Sequence, residues 1–229
     1  MSRFELVIFD NDGVLVRSEH LANAILSDLL CEEGFQVTYE DCVREFMGGT
    51  LGRVRQVAEA RLGRRLRPSF EDDYHHRLFE AFRTRLEPMP GVRDLLDAIE
   101  CEVCVASSGS RERIRLALEV TGLAAYFRGD RVFSAEDVAR GKPAPDLFLH
   151  AARNVGVDPA RCIVIEDSPL GVDAAKAAGM TVIGFAALTP ADRLAGAHAI
   201  ARDMREVACV EPRGFEPLAS WMPSKRSTN

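Results

Sequence analysis

Lysine is nearly absent from this chain: Lys142, Lys176 and Lys225 stand against 26 arginines. Residues 16–85 contain no lysine, so that stretch cannot supply an amine to a site. An excess of positive charge is also missing, with a formal net charge of -6 at pH 7. Binding along a phosphate backbone needs a basic face, so no nucleic-acid partner is expected. No apolar run approaches the roughly 20 residues that cross a bilayer, and no membrane association is expected. The opening MSRFELVIFD runs directly into a strand-like segment without the regions of a secretion signal, which implies a cytoplasmic protein.

Cysteine patterning is equally sparse. Cys31, Cys42, Cys101, Cys104, Cys162 and Cys209 are scattered, and Cys101 with Cys104 makes a single C-x-x-C. No second pair follows at zinc-site spacing. The same segment reads as a buried strand, where thiols serve as small hydrophobes, so packing is their expected role.

What is present suits a soluble globular protein. A chain of 229 residues with 47% hydrophobic residues can build one full core and carry an insertion. The apolar run Phe4–Phe9 has the pattern of a strand buried on both faces of a parallel sheet, and Val103–Ala106, Cys162–Ile165 and Thr181–Phe185 repeat it. Arg131–Phe133 and His198–Ile200 are weaker strand candidates. Helical patterns at Gly91–Ile99, Arg111–Thr121, Pro145–Val155 and Pro169–Ala178 lie between the later runs, which predicts a parallel α/β sheet. After Phe9, however, the chain stays helical through Ser18–Glu33, Glu40–Met47, Leu51–Leu62 and Phe70–Leu86. The predicted organisation is a Rossmann-like core of residues 1–15 and 87–210, an all-helical cap of residues 16–86 and a tail of residues 211–229. No period is legible in that tail.

Four segments carry candidate chemistry. Asp10 and Asp12 follow the first strand at the carboxyl edge, where open parallel sheets bind ligands, and Gly13 permits a sharp turn there. They read either as a metal-binding loop or as a solvated acidic turn. Glu166 and Asp167 end a later strand at the same edge; one acid could cap the next helix, but two exceed what a cap needs. With Asp10 they form an oxygen-rich set of the kind Mg²⁺ prefers. Ser107, Ser108 and Gly109 make a strand-to-helix loop that can offer hydroxyl and N–H groups to an anion, or can simply turn the chain. Lys142 lies between Gly141 and Pro143, in a loop stiffened by proline.

Asp10-x-Asp12-Gly-Val, Ser107, Lys142-Pro143 and Glu166-Asp167-Ser168 occur in the order and approximate spacing of the four motifs of the haloacid dehalogenase superfamily. The chain resembles its C1-capped subgroup, which contains β-phosphoglucomutase and small sugar-phosphate phosphatases, over residues 4 to 205. The resemblance implies an Asp10 nucleophile, an aspartyl-phosphate intermediate and Mg²⁺ held by Asp10, the Asp12 carbonyl and Asp167, with Glu166 bound directly or one step behind. It gives Asp12 the acid–base role and assigns the phosphoryl oxygens to Lys142 and Ser107, with Ser108 beside them. A monomer or weak dimer acting on a small phosphorylated metabolite is expected.

Within that family, Asp12 and the second acidic pair argue against a haloacid dehalogenase, and the lysine-free cap against a phosphonatase. A phosphomutase is the alternative to a phosphatase, although His20 falls two positions short of the mutase histidine. A non-catalytic module would have no need of this full set of side chains. The turn Met47-Gly48-Gly49-Thr50 resembles the family's specificity loop, so Gly48, Gly49 and nearby Arg53 are candidate substrate contacts, while Arg55, Arg61, Arg64, Arg65 and Arg67 read as a solvated face. One departure is Arg17-Ser18, where relatives carry an acid before the Ser or Thr. Ser18 is expected to cap the first cap helix.

Overall fold

A computed structural model of the chain describes residues 4–46 and 49–208. Its strands are β1 (Leu6–Phe9), β2 (Glu102–Ser107), β3 (Val132–Ser134), β4 (Cys162–Glu166), β5 (Thr181–Phe185) and β6 (Ala199–Ala201). Among the described residues they form one six-stranded sheet of order β3-β2-β1-β4-β5-β6, with every pairing parallel. Adjacent residues of β1 belong to opposite cores: Leu6 and Ile8 pack on one face, Val7 and Phe9 on the other. This two-sided burial explains the unbroken apolar run. Phe4 and Glu5 lie outside the strand, and the Glu5 N–H donates instead to the Arg161 carbonyl.

Helices α5 (Val92–Ala98), α6 (Arg111–Val120), α7 (Asp146–Val155), α8 (Pro169–Ala177) and α9 (Met204–Ala208) follow β1 in the chain and flank the sheet. Between β1 and β2 the cap contributes α1 (Glu19–Glu32), α2 (Tyr39–Phe46), α3 (Leu51–Leu62) and α4 (Phe70–Arg85). The fold is therefore a Rossmann-like α/β core with an inserted helical cap. Among the described residues no helix is long and apolar enough to cross a membrane. Met47, Gly48 and the tail 211–229 lie outside the described residues.

The two chain segments joining cap and core are tied together. The Arg17 N–H donates to the Glu87 carbonyl at 2.9 Å, and the Met89 N–H to the Leu15 carbonyl at 2.8 Å. Arg17 itself pairs with Glu87 at 2.9 Å on the exposed side of this hinge, a contact worth little in water. The cap arginines also have partners: Arg55 pairs with Glu59 and Glu71, Arg61 with Glu45, Arg64 with Glu33, and Arg67 with Glu32 and Asp73. Cys101 and Cys104 are free thiols; Cys104 is fully buried, and burial raises its pKa, as packing requires.

Candidate active site

The sheet order reverses around β1, so a crevice opens at the carboxyl ends of β1 and β4. Phe9 is in register with both Val105 and Ile165, and the Asp10 N–H donates to the Ile165 carbonyl at 3.0 Å. Asp10 consequently emerges beside Ser107 and Glu166, which are the last residues of β2 and β4 rather than loop residues. Asp10, Asp12, Ser107, Ser108, Lys142, Glu166 and Asp167 all line one cavity of about 310 Å³, closed on the cap side by residues including Glu19, Gly49 and Tyr74.

Lys142 is the more deeply buried of two cations lining this cavity, the other being Arg113. Its Nζ donates to Asp10 Oδ1 at 2.7 Å and pairs with Glu166 Oε1, over the ring of Phe148 at 4.9 Å. Burial pulls the lysine pKa down, but Asp10 and Glu166 overcome this and hold it above the usual value. Glu166 has no free oxygen, because its Oε2 accepts from the Ser168 N–H at 2.8 Å and the Ser168 hydroxyl at 2.9 Å. Ser168 also accepts from the Gly171 N–H at 3.0 Å, which caps α8.

Asp10 is pushed up to about 7 by burial, with Lys142 pulling down and Glu166 and Asp12 adding to the rise. Asp167 is likewise raised by burial and then by Glu166 and Asp10. Its carboxylate leans over Gly13, where an added Cβ would meet Oδ2 at 2.0 Å. Gly13 is thus needed both for its φ of +74° and for the space that Asp167 fills.

Asp12 differs from expectation in its partners. The Ser18 hydroxyl donates to Asp12 Oδ1 at 2.6 Å and makes no cap bond to α1, so the expected capping role is corrected. Asp12 sits within reach of that hydroxyl, and the acid competes successfully for it. The second donor is Arg113 at 2.8 Å, a residue that sequence reasoning missed. Nothing local marks it within Arg111-Glu-Arg113-Ile-Arg115. Glu19 was missed as well; burial first, then Asp12, raises its pKa.

Ser107 accepts from the Gly109 N–H at 3.3 Å, and the Ser134 hydroxyl donates to the Gly109 carbonyl at 2.7 Å, so β2 and β3 fix this loop. Gly49 lines the cavity, whereas Arg53 is exposed and faces an adjoining cavity of about 440 Å³ that shares Asp167 and Ser168. Gly48 lies outside the described residues.

The donor set can be tested for a metal. Among the described residues no group of three Asp, Glu, His or Cys side chains could hold an ion by itself. With Asp12 Oδ1 engaged by Ser18 and Arg113, and Glu166 by Lys142 and Ser168, the Asp10 and Asp167 carboxylates and main-chain carbonyls are the protein oxygens best placed at the carboxyl edge to hold an ion. Asp10 and Asp167 are buried with raised pKa values, and Lys142 is the cation that offsets part of their charge. A hard dication that takes few protein oxygens and completes its shell with water and phosphate fits this set.

Acids and a single lysine at the carboxyl edge of a parallel sheet, beneath a helical cap, make a capped α/β enzyme. Residues 4–179 match the family described as haloacid dehalogenase-like hydrolase. The chain belongs to that family, whose phosphatases generally use a divalent metal. It is 32% identical over 188 residues to 6-phosphogluconate phosphatase of Escherichia coli (strain K12), covering 82% of this chain and 85% of that one. It is 31% identical over 194 residues to fructose-1-phosphate phosphatase of the same strain, covering 79% and 96%. A crystal structure of a haloacid dehalogenase-like protein of unknown function from Agrobacterium tumefaciens str. C58 superposes with a TM-score of 0.83 at 36% identity, covering 90% of this chain and 97% of that one.

Proposed function

We propose that this protein hydrolyses a small sugar phosphate or related monoester through a phosphorylated Asp10. It is a phosphatase of the haloacid dehalogenase-like family: the family match gives the hydrolase class, and the two relatives are phosphatases. The observation that carries the mechanism is the buried Asp10–Lys142–Glu166 chain at the sheet's carboxyl edge, with Asp12 and Asp167 on either side.

Asp10 attacks phosphorus from the oxygen that Lys142 does not hold. The bond between phosphorus and the ester oxygen breaks, and Asp12 gives its proton to the departing alkoxide. Asp12 then takes a proton from water, which attacks the aspartyl phosphate, releases inorganic phosphate and restores Asp10. Ser107 and the loop N–H groups hold phosphoryl oxygens together with Lys142, as charge spreads over them during transfer. Glu166 keeps Lys142 in place rather than binding a metal directly. A divalent cation, Mg²⁺ in this reading, held by Asp10, Asp167 and the Asp12 carbonyl, would offset the repulsion between carboxylate and phosphate.

Water is favoured over a sugar hydroxyl as the phosphate acceptor because both named relatives are phosphatases. The cavity lining includes His75 but not His20, which also fails to favour a mutase. Sugar phosphates are the proposed substrates on the same two relatives, and a monomer or weak dimer is the proposed state. The test is release of phosphate from p-nitrophenyl phosphate and a panel of sugar phosphates with and without Mg²⁺. Asp10→Asn should abolish turnover, and acid-quenched wild-type protein should carry label from a ³²P-ester. Full activity in Asp10→Asn would sink the nucleophile.

A further inference from the structure

We infer that Arg113 is a positioning residue for Asp12, fixing one carboxylate oxygen so that the other is presented to the leaving group. The inference rests on the acid–base role proposed above for Asp12.

Arg113 is the third residue of α6, and its backbone N–H donates to the Ser110 hydroxyl that caps the helix. That anchors the start of the side chain. The guanidinium then reaches across to Asp12, 101 positions away in sequence, and donates to Oδ1 at 2.8 Å. The Ser18 hydroxyl donates to the same oxygen at 2.6 Å. Two donors from different elements on one oxygen remove the carboxylate's freedom to rotate. No described residue donates to Oδ2, so the oxygen left for proton transfer is also defined by this arrangement. A third element holds the cation itself: the Phe82 ring of cap helix α4 lies against the guanidinium, 5.4 Å from its centroid.

The environment is costly for a purely decorative arginine. Its side chain is only 19% exposed, Asp12 is its ion-pair partner, and its Nε is buried without a partner. A buried cation is tolerated when it is paired, and Asp12 is the group that pairs it. Phe82 places the cap in this chain of contacts, so the seating of α4 bears on the carboxylate through Arg113. Both Arg113 and Asp12 line the site cavity.

A purely structural salt bridge and a positioning residue differ in their dependence on the leaving group. An alkoxide needs a proton to depart, whereas p-nitrophenolate leaves without one. In a double-displacement hydrolysis, kcat/KM reports the steps through the first phosphoryl transfer, where that proton is given. The experiment measures kcat/KM with Mg²⁺ for p-nitrophenyl phosphate and for the best alkyl ester in a sugar-phosphate panel, in wild type, Arg113→Met, Arg113→Lys and Phe82→Leu. Arg113→Met should lower the alkyl-to-aryl ratio at least about tenfold, a part of the full range of acid–base assistance. Arg113→Lys should recover part of the ratio, and Phe82→Leu should lower it less. In an Asp12→Asn background, Arg113→Met should lower the ratio no further.

Equal loss on both esters, or no loss on either, overturns the inference. If Arg113→Met does not fold, the lysine and Phe82→Leu variants decide by the same ratio. A wild-type protein inactive on both esters removes the acid–base reading, and the inference with it. That result is distinct from an active enzyme whose ratio is unmoved.

Discussion

Replacing Gly171 by alanine should weaken the protein, although this glycine lies inside a helix where alanine ordinarily helps. In an exposed helix interior Gly→Ala gains about 1 kcal/mol from propensity. Here the new Cβ would lie 1.8 Å from Glu166 Oε1 and 1.9 Å from Cδ. Glu166 cannot step aside cheaply. It is fully buried, with one oxygen on Lys142 and the other on Ser168. Nor can Gly171 retreat freely, because its N–H is bound to Ser168. Moving the carboxylate breaks a buried ion pair, a loss of about 3–5 kcal/mol when one partner is removed outright. Set against the helix gain, a net destabilisation of about 2–4 kcal/mol is expected. Urea unfolding with wild type in parallel measures it as a lower midpoint at unchanged slope. The decisive control is Glu166→Ala. In that background Gly171→Ala should be neutral or stabilising, since the obstructing carboxylate is gone. A Gly171→Ala protein as stable as wild type, or a penalty that persists without Glu166, would refute the reasoning.

Two further outcomes follow from the acidic pocket. Because Asp10 is raised to about 7, the folded metal-free protein holds more protons on it than the unfolded chain between about pH 4 and pH 7. Its contribution to stability therefore falls as pH rises through that window, so the Tm of chelated wild type relative to Asp10→Asn should drop from pH 5 to pH 7.5. A difference that rises with pH would contradict this assignment. Gly13→Ala should weaken divalent-metal binding at least about tenfold by calorimetry, because its Cβ would collide with Asp167 while forcing alanine to a positive φ. Unchanged metal affinity would show that Asp167 does not need its present position.

The value of particular residues explains what could be read without the fold. Unbroken apolar runs such as Leu6–Phe9 follow from burial on both faces, and each of the expected strands is present within a residue or two. The acids were legible because each pair follows such a run at the carboxyl edge. Lys142 was legible because lysine is so scarce. Glu166 was visible as an acid, but its commitment to Lys142 and Ser168 was not, since Lys142 approaches from 24 residues away. Ser18 showed the local signature of a helix cap, yet its hydroxyl went to Asp12.

Local sequence thus determined the strands, the helical insertion and the order of the acids, because periodicity and turn chemistry act over a few residues. Only tertiary structure decided which oxygen of each acid is engaged and by which donor. That choice depends on crossovers and on cap seating, which bring together groups as distant as Arg113 and Asp12. Among 26 arginines, Arg113 carries no distinguishing neighbour in sequence. Its distinction arises where α6, the first loop and Phe82 meet.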